Sequence, residues 1–163
     1  MNTDRIEKKI LLRAPLERVW GAISDARQFG KWFGVAFDGP FVAGALLTGK
    51  IEPTTVDPEV AKLQEPHRGT AFAFTVDGVE PMRRFSFRWH PFAVDSGADY
   101  SKEPTTLVVF ELTAAPDGVL LTITESGFDS IPLHRRAEAF ASNEGGWEHQ
   151  TRLIAKYLAQ QAQ

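Results

Sequence analysis

The stretch from Ile131 to Gln160 constrains the fold most, because apolar residues recur there every three or four positions, from Leu133 through Trp147 to Leu158. That spacing places them along one face of a helix, with charged residues mostly on the other face. A continuous helix over this span is roughly 40 Å long at 1.5 Å per residue. The sequence therefore predicts one long C-terminal helix, and the rest of the chain must pack against it.

Two adjacent glycines, Gly145 and Gly146, interrupt this pattern. Each costs about 1 kcal/mol relative to alanine inside a helix, and Asn143 just before them is a good N-cap, so two helices could meet at this point. The apolar face nevertheless keeps its phase from Phe140 to Trp147, which favours one kinked helix. We expect the glycines to let that helix approach the sheet or a ligand closely.

The chain before this helix is dominated by alternating apolar and polar residues, which predict strands. The first strand covers residues 5–12 and is followed by two short helices, the second of which Asp25 caps. Six further strands follow. The fold class is therefore α+β: a curved antiparallel seven-stranded sheet around a long C-terminal helix, with two short helices after strand one. A single domain over residues 1–163 is predicted.

Residues 53–69 break the alternation with three prolines and a capped helical turn at Asp57-Pro58. A connection this long inside a compact domain is more often a lid or a binding loop than a simple turn. A solvated insertion remains the alternative interpretation.

Composition narrows the range of partners. The net charge is -3, so the chain lacks the basic surface that binding to nucleic acid or to an anionic membrane requires. It contains no cysteine, which excludes disulfides and thiol chemistry and fits a reducing cytoplasm. The N-terminus leads into no long apolar run, so we expect no signal peptide and no membrane span.

No cofactor or metal is predicted. The four histidines are scattered without metal-ligand spacing, and Asp95, Asp99 and Glu103 do not follow the calcium-loop pattern. The chain has no glycine-rich phosphate cradle followed by a helix and no Gly-x-Ser-x-Gly elbow. These patterns therefore define no catalytic set.

The predicted dimensions raise the question of a cavity. Seven strands about 4.8 Å apart form a sheet roughly 30 Å wide, whereas one helix with its side chains is about 10–12 Å across. The helix cannot cover the whole apolar face of the sheet. The many inward aromatic residues therefore either fill the interior as plain core or line a cavity between helix and sheet, and the pattern leaves both open.

Glu125 is the most informative acid. The phase of Val119, Leu121 and Ile123 on the last strand directs it into the interior, where a carboxylate must find a partner or take up a proton. It could be a polar contact for a ligand or a general acid/base. Alternatively, it lies at the strand end and reaches water or an arginine.

Several motifs occur in one order along nearly the whole chain: Ala14-Pro15 through Val19-Trp20, Trp32-Phe33-Gly34, Phe85-Ser86-Phe87-Arg88-Trp89-His90-Pro91, Glu125-Ser126-Gly127-Phe128, and Asn143-Glu144-Gly145-Gly146-Trp147 leading to Tyr157-Leu158. In this order they resemble the activator of heat-shock protein 90 ATPase homologue family, within the START-like helix-grip (SRPBCC) superfamily. The resemblance implies a helix-grip fold with a hydrophobic cavity under the long helix. Superfamily relatives bind lipids, sterols, polyketides or other apolar molecules, and some are cyclases or hydrolases.

Three hypotheses follow. The first is non-enzymatic binding of an apolar or amphipathic small molecule or lipid in that cavity. The second is a cyclase or hydrolase with Glu125 as acid/base. The third is a module that interacts with a chaperone. The name of the family comes from a eukaryotic co-chaperone in which this domain is one part of a longer protein. The predicted cavity-lining residues are Trp32, Phe74, Phe87, Trp89, Glu125, Phe128, Asn143 and Trp147.

Overall fold

The computed structural model describes residues 4–91 and 102–161. The sequence-based interpretation of Asp95 and Asp99 concerns residues outside these ranges. The elements in chain order are β1 (Arg5–Leu12), α1 (Leu16–Ser24), α2 (Ala26–Phe33), β2 (Val35–Phe37), β3 (Leu46–Ile51), α3 (Pro58–Gln64), a 3-10 turn (Glu65–His67), β4 (Ala71–Glu80), β5 (Arg84–Trp89), β6 (Thr106–Ala115), β7 (Gly118–Ser126), a second 3-10 turn (Phe128–Ser130) and α4 (Leu133–Gln161).

The seven strands form one antiparallel sheet in the order β1-β7-β6-β5-β4-β3-β2. From β2 to β7, each strand pairs with the next strand in the sequence. The first strand, β1, pairs with the last strand, β7, so β1 and β2 form the two edges of the sheet. The long helix α4 packs against β1, α1 and α2. The predicted α+β class, with a seven-stranded antiparallel sheet and a long C-terminal helix, is confirmed.

The two short helices carry aromatic side chains into the interior. The Asp25 side chain caps α2 by accepting hydrogen bonds from the backbone N–H groups of Arg27 and Gln28, as predicted. Gly34 ends α2 in the left-handed region, with φ 98°. Because the helix stops there, the Phe33 carbonyl has no intrahelical donor. It accepts hydrogen bonds from side chains of α3 and α4 instead.

The helix α4 runs without a break through Gly145 and Gly146, which confirms one helix rather than two. A Cβ atom added to either glycine would meet no heavy atom within 4 Å. The expectation that these glycines let the helix approach the sheet closely is therefore wrong. The buried face is also shorter than predicted, because Leu133 is 78% exposed and the first buried helix residue is Ala139.

Aromatic rings fill most of the space beneath the helix. Phe29 is central, with its ring centroid 4.7–6.5 Å from those of eight other aromatic residues. We call the fully packed part of this cluster the aromatic core; its members are Phe29, Trp32, Phe41, Phe74, Phe85, Phe87 and Phe110. Here the interpretation of the aromatic strand residues as plain core holds.

The segment between β3 and β4 forms α3, which Asp57 caps as predicted. Three contacts fix it: the Gln64 side chain bonds to Thr54 N and Phe33 O, and Lys156 pairs with Asp57 at 2.7 Å. The lid interpretation and the solvated-insertion interpretation both stay open. Within the described ranges, no helix combines the length and apolarity needed to cross a membrane.

Candidate functional site

Glu125 lies on the inward face of β7 and is completely buried. The strand alternation that buries Val119, Leu121 and Ile123 continues to this residue, as the sequence predicted. The adjacent strand positions are apolar residues, Ile6 on β1 and Val108 on β6. The alternative in which the side chain reaches water at the strand end is therefore wrong.

Four side chains satisfy the buried carboxylate. Trp147 Nε1 donates to Oε1 at 2.8 Å, and Trp89 Nε1 donates to Oε2 at 2.7 Å. The Thr106 hydroxyl also donates to Oε2, and Asn143 Nδ2 donates to both oxygens, at 2.9 and 3.1 Å. Indole and amide N–H groups can only donate, so both oxygens of Glu125 serve as acceptors here. We call these five residues the carboxylate cluster.

The cluster joins four elements of the fold. Trp89 and Thr106 are direct cross-strand partners at the point where β5 ends and β6 begins. Asn143 and Trp147 are four residues apart on α4, which places them on the same face of the helix one turn apart. The hydrogen bonds to Glu125 therefore fix the middle of α4 to one end of strands β5, β6 and β7.

The hydrogen-bond partners of Glu125 are all neutral side chains. Within the described ranges, no lysine, arginine or histidine forms an ion pair with it. On α4, Glu148 forms an ion pair with Lys8 of β1 at 3.1 Å.

A cavity of about 80 Å³ lies against this cluster. Its lining residues are Phe33, Trp89, Asn143, Gly146, Trp147 and Gln150. Three aromatic rings form most of the wall: the centroids of Trp89 and Trp147 are 5.7 Å apart, and that of Phe33 lies 6.2 and 6.1 Å from them. The exposed backbone of Gly146 marks the side on which the cavity reaches the surface.

Gln150 supplies the polar feature of the cavity. Its Nε2 donates to the Phe33 carbonyl at 3.3 Å, which fixes the orientation of the amide. Its Oε1 is buried and has no hydrogen-bond partner within the described part of the chain. A buried acceptor without a donor is unfavourable, so this oxygen lowers the stability of the surrounding structure.

The structure brings four of the predicted cavity residues together: Trp89, Glu125, Asn143 and Trp147. The other four lie apart from the cavity. Trp32, Phe74 and Phe87 belong to the aromatic core, where Trp32 Nε1 donates to the Ala22 carbonyl at 2.9 Å, and Phe128 packs edge-on against Phe140. A ligand-binding role for these four stays a prediction.

Sequence reasoning missed Phe33, Thr106, Gly146 and Gln150 as site residues. Helical spacing could have indicated Gln150, which lies one turn beyond Gly146 and Trp147 on the same side of α4. Thr106 could not be found in this way, because its role depends on which residue of β5 it pairs with. No group of three or more metal-ligating side chains occurs among residues 4–91 and 102–161.

Comparison with known proteins identifies the family. The family model described as "Activator of Hsp90 ATPase homolog 1-like protein" matches residues 13–159, nearly the whole chain. The chain belongs to this family. The resemblance read from the motifs is thereby confirmed, whereas no curated protein matches the sequence significantly.

Solved structures share the fold of this family member. A solution structure of a protein from Arthrobacter aurescens has a TM-score of 0.72 at 16% identity and covers 98% of this chain and 90% of its own. The Aha1 dimer from Colwellia psychrerythraea has a TM-score of 0.66 at 15% identity, with coverage of 94% and 95%. DynU16, a protein in the dynemicin biosynthetic locus, has a TM-score of 0.67 at 26% identity over 96% of this chain. The chain spans about half the length of DynU16, 47%.

Proposed function

We propose that this protein binds an apolar or amphipathic small molecule in the cavity between α2, β5 and α4, without catalysis. The observation that carries the proposal is the cavity itself, whose aromatic walls are held in place by hydrogen bonds to a buried carboxylate. Concave, mainly apolar sites with a few fixed polar groups are the usual form of small-molecule sites.

The size of the cavity limits what enters it. About 80 Å³ is between two and three times the roughly 30 Å³ that one water occupies in the liquid. The site therefore accommodates the end group of a ligand, and the rest of the ligand lies at the opening beside Gly146. Beside the cavity, the aromatic core is tightly packed.

The surroundings of Glu125 favour a positioning role over acid/base catalysis. A general acid or base must come within hydrogen-bond reach of the proton that it transfers. Both oxygens of Glu125 already accept bonds from the carboxylate cluster, and its side chain does not line the cavity. Glu125 thus orients Trp89 and Trp147, and those two rings contact the ligand.

Native mass spectrometry of the protein purified from its own host tests the proposal. We expect a retained small molecule, or saturable binding when small apolar and amphipathic compounds are added back. Gly146→Leu adds a side chain beside the opening of the cavity and should hinder entry of the ligand and weaken binding. Gly145→Leu is the matched control, because it adds the same side chain one position away, where it does not line the cavity. Equal binding by both variants, or no binding by the wild-type protein, would contradict the proposal.

A further inference from the structure

We propose that the protein has a second binding site, on the face of the sheet turned away from α4, for a small molecule that carries a chain of linked phosphate groups. This inference goes beyond the cavity and is independent of the function proposed for it. Three features of the described structure support it: the shape of the surface, the charges at its two sides and the hydroxyl groups between them.

The shape of the surface is the first feature. An open groove of about 540 Å³ lies across the outer face of β1, β7, β6 and β5. Its residues alternate along the strands with buried ones; Thr124 and Ser126, for example, flank the inward Glu125. Small-molecule sites usually have volumes of about 300–1,000 Å³, so the groove has room for a whole ligand.

The charges at the two sides are the second feature. Arg5 and Lys9 of β1 line one side of the groove. Arg83 and Arg84, where β5 begins, line the other side. The lining contains four basic and two acidic residues, whereas acidic residues outnumber basic ones in the rest of the chain. The groove is therefore a local basic surface on an acidic protein, and such a surface attracts anions.

The acidic residues nearby do not neutralise this surface. The two β1 cations share Glu7, at 2.9 and 3.9 Å, and the two arginines share Glu80, at 3.8 and 3.5 Å. Glu111 lies between the two sides and forms no ion pair within the described ranges. Each side thus keeps a net positive charge. Exposed ion pairs of this kind are weak, so an anion with several charges can replace them.

The hydroxyl groups between the two sides are the third feature. Thr122, Thr124 and Ser126 occupy alternate positions on β7, about 7 Å apart along the strand. All three are half-buried, and their hydroxyls have no hydrogen-bond partner among the described residues. Hydroxyls donate to phosphate oxygens, and guanidinium groups bind those oxygens in pairs. The groove thus has donors along its middle and cations at its sides.

The separation of the two sides determines the class of anion. The strands β1 and β5 are three strand spacings apart, which is about 14 Å. A single phosphate contacts only one side, whereas linked phosphates can contact both sides and the hydroxyls between them. Among the described residues, no aromatic side chain lines the groove, so a nucleobase would have nothing to stack on. Recognition therefore depends on the phosphates and not on the group attached to them.

Titration calorimetry at matched ionic strength, without divalent cations, tests the inference with tripolyphosphate, orthophosphate and tetraglutamate as probes. We expect tripolyphosphate to bind at least about tenfold more tightly than orthophosphate, because it also contacts the cations of the second side. Tetraglutamate should bind more weakly than tripolyphosphate, and ATP should bind about as tightly as tripolyphosphate. In NMR spectra the amide signals of Thr122 and Thr124 should shift, while the indole N–H signals of Trp89 and Trp147 at the cavity should not.

Paired variants locate the site. Arg84→Gln and Lys9→Gln should each weaken tripolyphosphate binding about two- to fivefold, as expected for the loss of one exposed charge contact. The matched controls Arg88→Gln and Lys50→Gln lie on the same face of the sheet but outside the groove, and they should leave binding unchanged. Glu111→Gln should strengthen binding by about the same factor, since it removes the acid between the two sides.

The results that would overturn the inference are equally specific. It is wrong if tripolyphosphate does not bind, if the control variants weaken binding as much as the groove variants do, or if Glu111→Gln weakens it. Tighter binding of tetraglutamate than of tripolyphosphate would mean that the groove fits an acidic polypeptide, and would also overturn it. None of these results affects the cavity, which Gly146→Leu tests separately.

Discussion

The two ends of the interior beneath α4 differ in how their aromatic rings are held. In the aromatic core, packing alone fixes the phenylalanine rings, and the stacked pair Phe74 and Phe87 lies 4.2 Å apart. Around the cavity, hydrogen bonds to Glu125 fix Trp89 and Trp147. The first end is filled and the second keeps a void of about 80 Å³.

This difference shows how a small domain can keep a cavity open. Rings that are held only by packing move until they exclude empty space, because each lost contact costs dispersion energy. A ring whose N–H is bonded to a buried carboxylate cannot rotate into the void without leaving that carboxylate short of a donor. The carboxylate cluster therefore acts as a fixed frame for the cavity.

A substitution in the aromatic core should have the largest effect on stability. Phe74→Ala should lower the free energy of unfolding by about 3–5 kcal/mol, because it leaves a hole in a filled core. Urea denaturation followed by circular dichroism measures this, with Phe74→Leu as the milder control. The variant should still bind small molecules in the cavity. A loss of binding in Phe74→Leu without a loss of stability would instead support the predicted ligand contact of Phe74.

Glu125→Gln tests the frame itself. The amide replaces one acceptor oxygen with an NH₂ group, a fifth donor among four existing ones, so we expect a loss of roughly 2–4 kcal/mol in the free energy of unfolding. Thr106→Val is the control, since it removes one donor while keeping the shape of the side chain and should cost only about 1 kcal/mol. Wild-type stability in Glu125→Gln would mean that the carboxylate is not needed to hold the indoles.

The two buried tryptophans allow a matched comparison. Trp147→Phe and Trp32→Phe each remove one indole N–H bond, the first to a carboxylate and the second to the Ala22 carbonyl. We expect Trp147→Phe to lower the free energy of unfolding by about 1.5–3 kcal/mol. Trp32→Phe should lower it by a similar amount, because it loses a weaker hydrogen bond and also leaves a small hole in the core. Only Trp147→Phe should change probe affinity, as measured by titration calorimetry. Equal loss of affinity in both variants would contradict the separation of the two ends.

Gly145→Ala should stabilise the protein by up to about 1 kcal/mol, because alanine is the better helix former and its methyl group meets open space. Thermal unfolding measures the change. Gly146→Ala should give the same gain, because a methyl group there also meets no heavy atom within 4 Å. A destabilised Gly145→Ala variant would restore the idea that this turn of α4 must pack closely on the sheet.

The smallest effect is expected at Asp57, a partly exposed carboxylate that provides a contrast to the fully buried Glu125. The hydrogen bond from Lys156, followed by that from the backbone of Val60, lowers the pKa of Asp57 below its ordinary value. Its contribution to stability is therefore present above the unfolded-state pKa of about 4 and is lost as the pH falls through the lower folded-state pKa. Asp57→Asn should be slightly less stable at pH 7, and the difference should disappear in acid and shrink in high salt. Denaturation curves at several pH values check this.

Much of the fold could be predicted because local sequence patterns determine where strands and helices form. The alternation along β5 and β7 placed Phe85, Phe87 and Glu125 on the inward face, and the period of α4 survived two glycines because the apolar face kept its phase. The caps at Asp25 and Asp57 followed from residue type and position. Half of the predicted site residues also meet in space, since the aromatic and polar residues near strand ends face the same helix.

The sequence by itself determined which residues point inward, that one acid is among them, and that a long helix lies across the sheet. Only the tertiary structure decided that Trp89 and Thr106 of neighbouring strands, together with Asn143 and Trp147 of α4, all donate to Glu125. It also decided that the aromatic core is tightly packed and that a cavity of about 80 Å³ lies beside the carboxylate cluster. The reason is physical: periodicity fixes the direction of each side chain, whereas strand register and helix placement fix the distances between residues far apart in the chain. Hydrogen bonds and cavities depend on those distances.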